Sequence, residues 1–66
     1  MTATEIEHFR QMGRTEGREF IAADRDEARK AFAAWRRLIE LKAIRSAADM
    51  HKAEGFCEVA AVEFGA

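Results

Sequence analysis

The chain reads as all-α: a helical hairpin, joined to a second copy in a homodimeric four-helix arrangement, with an apolar C-terminal tail packed on top. Three observations predict this. The 66 residues contain no proline, tyrosine or asparagine, and 14 alanines with a Glu and Arg bias favour helix at nearly every position. Apolar residues recur at helical spacing through two successive stretches. Finally, the chain is short of staples. A domain of this size buries only about 60% of its unfolded surface, and its core supplies roughly 3–5 kcal/mol. One cysteine excludes an internal disulfide, and no paired Cys/His spacing suggests structural zinc. Sharing apolar surface with a second copy is the remaining common solution.

The first helix, expected over about 5–22, opens at Thr4, where "TEIE" forms a capping box with Glu7. At roughly 100° per residue, Ile6, Phe9, Gly13, Gly17 and Phe20 fall along one line, so both glycines lie on the apolar face. Each weakens a helix by about 1 kcal/mol relative to alanine. Two readings account for them: a kink or C-cap at Gly13, or close approach of another helix within the hairpin or across a dimer, as small residues at this spacing allow. Phosphate binding is disfavoured because no strand precedes the pair.

The stripe then meets Asp24. "DRDE" is a second capping signal, Asp24 with Glu27, and places the turn near residues 22–25. Two alternatives stay open, because "IAADRDEA" lacks Gly, Pro and Asn. The chain could form one unbroken helix from Thr4 to Gly55, or it could turn at "GRTEG" instead. With the turn at Asp24, the second helix is expected over about 25–54. It carries Ala28, Ala31, Phe32, Trp35, Leu38 and Ile39 on one face. Asp26 with Lys30, Arg36 with Glu40 and Arg45 with Asp49 stand at ion-pair spacing, and Gly55 is expected as its C′ residue. In the tail, residues 56–66, strand alternation fails because Glu58 and Glu63 fall on opposite faces. Phe56, Val59, Ala60 and Phe64 follow helical spacing, and the segment is expected to pack on the helices or on the other chain.

Charge limits the partners. Eleven Lys and Arg against 12 Asp and Glu argue against a general polyanion binder. The longest uncharged run, "AFAAW", falls far short of the roughly 20 residues that span a bilayer. The acidic "MTATEIEHF" lacks the features of a signal peptide, so a cytoplasmic location is expected, with no membrane partner.

Ile6, Phe9, Gly13, Gly17, Phe20, Ala28, Ala31, Trp35 and Leu38 form the expected core or dimer interface, with Trp35 as its packing anchor. Arg14 and Arg18 flank one side of the first stripe, and Arg25, Arg29 and Arg36 flank the matching side of the second. Charge segregated beside an apolar seam sets the register of antiparallel helices; it also offers a surface to an acidic partner. A second stripe, Ala34, Leu41, Ile44 and Ala48, lies roughly opposite the first. It is covered by the tail, joins a dimer, or docks a foreign partner as a helix in a groove. Metal and nucleophile options are thin. Glu5 and His8 stand at i, i+3 once only, and Asp49, His51, Glu54 and Cys57 repeat no standard ligand spacing. No catalytic residue and no cofactor is expected, so the chain is not read as an enzyme.

The assumed hairpin dimer resembles small RNA-binding plasmid copy-number regulators in architecture. In "MTATEIEHFRQMGRTEGREF", in its Ala/Arg/Glu bias and in its length, the chain is similar to small early-region accessory proteins of Mu-like temperate phages. That resemblance implies a helical dimer that binds and inhibits a host protein, such as a quorum-sensing transcription activator. It carries over no functional residue. The arginine edge and the second stripe, read from the residues themselves, make Arg14, Arg18, Arg25, Arg29, Arg36, Leu41 and Ile44 the expected partner-binding residues of such an anti-activator. The rival expectations are a nucleic-acid-binding regulator using the arginines, and a structural subunit of a larger assembly.

Overall fold

A computed structural model describes residues 1–65; Ala66, the last residue of the expected tail, lies outside them. The described residues form three helices: α1 (Ala3–Ala23), α2 (Arg25–Glu40) and α3 (Ala47–Phe64). The chain is therefore all-α, as expected, with one helix more than a hairpin.

Helix α1 starts slightly before the expected cap. Thr2 Oγ1 accepts the Glu5 N–H at 3.2 Å and the Glu5 carboxylate accepts the Thr2 N–H at 3.2 Å, a complete capping box. The turn falls at Asp24, whose extended backbone (φ −156°, ψ 94°) ends α1 and begins α2 while its carboxylate accepts the Glu27 N–H at 3.1 Å. One residue thus serves as C-cap and N-cap, which explains a turn without Gly, Pro or Asn.

Helix α2 stops at Glu40 instead of running to residue 54. Its end is a Schellman motif: the Lys42 N–H bonds the Ile39 carbonyl at 3.1 Å, and the Ala43 N–H bonds the Leu38 carbonyl at 3.0 Å. The left-handed residue this motif needs is Lys42, at φ 54°, where glycine is usual. After a connection over 41–46, Ser46 Oγ accepts the Asp49 N–H at 3.3 Å and starts α3. The expected ion pairs follow this break. Arg36 meets Glu40 at 3.9 Å as expected, Lys30 bonds Glu27 at 3.2 Å instead of the expected Asp26, and Arg45 lies outside both helices, out of register with Asp49.

Gly55 is not a helix terminus either. It lies inside α3, buried against α1. A Cβ on Gly13 would overlap the Lys52 carbonyl, and one on Gly55 would overlap the Arg10 carbonyl. Each glycine therefore receives a backbone carbonyl of the opposing helix, three residues before that helix's own glycine. Gly17 completes the seam, since a Cβ there would stand 2.5 Å from Val59 Cγ2. The glycine stripe of α1 thus serves close helix contact, and its partner is α3 of the same chain.

Side-chain pairs fix the direction of the helices. Arg10 reaches Glu54 and Arg14 reaches Glu58, so α1 and α3 run parallel. Arg25 meets Glu63 near one end of α2 while Trp35 lies beside Ala53 near the other, so α2 runs antiparallel to α3. The bundle is up-down-up with α3 as its central element, sharing its largest interface with α1; α1 and α2 touch least. The buried apolar residues are Ala28, Phe32, Ala53, Phe56 and Ala60. Around them Phe20 meets Phe56 edge-on at 6.1 Å and Phe32 stacks with Phe64 at 6.2 Å. Ala31, Cys57 and Ala61 pack at the edge of this cluster.

Candidate interaction surface

The expected core stripe divides in the folded chain. Gly13, Gly17 and Ala28 are buried within it, while Ile6, Phe9 and Ala31 are half-buried. Phe20, Trp35 and Leu38 remain exposed; Trp35, the expected anchor, is 36% exposed and borders a small cleft with Glu16, Asp49 and Lys52. Glycine packing draws α1 onto α3, and α2 covers the pair without closing over its own apolar edge.

The arginines do not form one continuous edge, because α3 stands between the two sets. The Arg14 side chain is only 18% exposed. It donates to Glu7, to Gln11 at 3.1 Å and to Glu58 at 3.1 Å. The Arg14 hydrogen bond holds the Glu7 carboxyl below its ordinary range, and bonding to Glu7 and Glu58 raises the guanidinium further. Arg25 pairs with Glu63 and lies 4.9 Å over the Phe64 ring, with Arg29 at 5.1 Å from the same ring. Arg36 lies 5.7 Å over Phe32. Arg18 is exposed and makes no ion pair among the described residues. The charge segregation seen along the sequence therefore works inside the chain, where the basic sides of α1 and α2 meet the acidic positions of α3.

Leu41 and Ile44 do not share a helix face. Leu41 caps α2 and is 59% exposed; Ile44 is half-buried in the connection to α3. The second stripe is thus broken where α2 ends.

Sequence reasoning missed a groove along the parallel α1/α3 pair. Ile21, Ala22, Val59 and Val62 supply its apolar lining, Arg14 and Arg18 line its α1 side, and Glu58 and Glu63 line its α3 side. Its volume is about 500 Å³, and Val62 is 88% exposed. The signal was present in the helical spacing of the tail, but the groove becomes visible only when that tail is a helix beside α1.

The remaining chemical options stay thin. His8 packs edge-on to Phe9 at 5.5 Å, and Glu5 is engaged in the α1 cap. His51 Nδ1 meets the Glu54 carboxylate, which also faces Arg10 at 3.6 Å. Among the described residues no three His, Cys, Asp or Glu side chains are grouped to hold a metal ion. Burial pushes the Cys57 thiol up, against the opposing pull of Arg36, so it is a poor nucleophile at neutral pH. Among the described residues no helix is long and apolar enough to cross a membrane. No family model matches the chain, and neither a curated protein nor a solved structure gives a significant match.

Proposed function

We propose that this chain is a small non-enzymatic interaction module that associates with itself and acts by masking the surface of a partner protein. The supporting observation is the balance between inside and outside. Five buried apolar residues, only two of them rings, stand against exposed Phe20, Trp35, Leu38, Leu41 and Val62. Exposed apolar side chains of this size on a small domain mark contact surfaces when they are grouped. The phage resemblance supplies the biological setting: an inhibitor or anti-activator of a host regulatory protein, working in the host cytoplasm. In this reading Leu41 and Ile44, at the end of α2 and in the α2–α3 connection, meet the foreign partner.

The test is capture of the partner from host lysate by the immobilised chain, repeated with Leu41→Glu and Ile44→Glu together. A specific partner retained by the parent chain and lost by the still-helical double variant is the expected result. Equal capture by both removes that surface from the reading. The nucleic-acid alternative rests on the same arginines. It has less support, because four of the five are engaged with carboxylates or aromatic rings. A gel shift at low salt that weakens steeply as salt rises would restore it.

A further inference from the structure

We infer that the α1/α3 groove is where two copies of this chain join, about a two-fold axis running along the groove. This rests on the self-association proposed above and names the face and the symmetry that carry it.

The groove has an arginine rim on α1 (Arg14, Arg18) and a glutamate rim on α3 (Glu58, Glu63), with Val59 and Val62 between them. The two helices are parallel, so a two-fold rotation about the groove axis lays α1 of one copy over α3 of the other, also in parallel. Arg18, without an ion-pair partner in its own chain, then faces Glu58 and Glu63 of the second copy, whose carboxylates stay about half exposed beside their own Arg14 and Arg25, and the reciprocal contact forms by symmetry. A two-fold axis across the groove would instead set α1 against α1 and arginine against arginine. Arg18, the rim charge without a partner in its own chain, therefore favours the parallel arrangement, where it meets carboxylates, over the antiparallel one, where it meets arginine.

Size and chemistry agree with this. Val62, the most exposed of the large apolar side chains, stands in the groove, where a second copy would cover it. The chain measures 33 × 23 × 16 Å. Two copies joined over even the narrower long face would bury roughly 1,000 Å² in total, the least that a specific interface needs. The resulting core is four helices, α1 and α3 from each copy, with α2 on the outside. The proposed arrangement is again a four-helix dimer, but its interface lies in the groove and not along the expected stripe, whose Gly13, Gly17 and Ala28 are buried within the chain.

Sedimentation equilibrium on the parent, Val62→Glu and Trp35→Glu chains tests this, with helicity read alongside. The expected result is a parent dimer whose dissociation constant rises at least about tenfold in Val62→Glu and stays within about twofold in Trp35→Glu. A folded Val62→Glu chain that dimerises as tightly as the parent overturns the groove, and a dimer lost in Trp35→Glu instead assigns self-association to the other face. A parent chain monomeric at all concentrations overturns both the groove and self-association, and leaves the masking of a foreign partner to stand or fall on the Leu41/Ile44 experiment. Should Val62→Glu fail to fold, Val62→Cys with Cys57→Ser decides. Mild oxidation forms a disulfide between copies across the axis if the groove is the interface, and absence of that cross-link in a folded dimer overturns it.

Discussion

Gly13 and Gly55 each occupy a position where a methyl group would enter the backbone of the opposing helix. In an isolated helix, exchanging glycine for alanine gains about 1 kcal/mol. Here the α1/α3 seam has to open, and overpacking of this kind costs about 1–3 kcal/mol. Gly13→Ala and Gly55→Ala are each expected to lower unfolding free energy in a denaturant titration, despite the better propensity of alanine. A stabilised variant would contradict the seam. Lys42 makes the opposite case. Its left-handed backbone costs about 1–2 kcal/mol for a residue with a Cβ, more than the entropy that glycine loses on folding. Lys42→Gly should therefore stabilise the chain by up to about 1 kcal/mol, read in the same titration. The third residue-scale prediction concerns pH. The Arg14 hydrogen bond places the folded Glu7 carboxyl below its ordinary value of 4.5. The unfolded chain therefore takes up this proton first. The contribution of Glu7 is complete above 4.5 and is lost as pH falls through the lower, folded value. Arg14→Met should flatten that part of the acid profile, and an unchanged slope would show that the pair contributes nothing.

At the scale of helices, the Asp24 capping signal and the Gly13/Gly17 pair were informative, whereas the Thr4–Glu7 signal stood two residues late and Gly55 was misleading. The Asp24–Glu27 signal placed the α1–α2 turn, and the Asp24 carboxylate caps α2 there. The break after Glu40 was hidden because its Schellman motif is closed by lysine, leaving no Gly or Asn to read. One trace went unread: "SAAD", residues 46–49, sets a serine three residues before Asp49, and Ser46 caps α3. Ser46→Ala should cost about 1 kcal/mol, measured by thermal or chemical unfolding; no loss would mean that α3 starts without its cap. Gly55 suggested a terminus because glycine commonly ends helices, yet here it meets the carbonyl of Arg10. The apolar pattern of α3 lacked a clean stripe because this helix is flanked by both others, and a helix buried on several sides is apolar on several sides. The candidate surface was legible in the same proportion. Arg14 and Arg18 could be placed together on α1, but Glu58, Val62 and Glu63 gained their meaning only once the tail was a helix parallel to α1.

For the molecule as a whole, the glycine seam brings two backbones together but leaves little apolar volume between them. The buried side chains are three alanines and two phenylalanines, in a chain whose size class supplies only a few kcal/mol unaided. Phe20, Trp35, Leu38 and Val62 lie outside that interior. On the proposed interface, the Val62 face of the α1/α3 groove completes the fold by being shared between copies, and linkage then ties stability to concentration. Thermal unfolding of the purified chain over a hundredfold range of concentration tests this most directly. The account predicts that the midpoint rises steadily with concentration, while a sharp, high midpoint independent of dilution would contradict it.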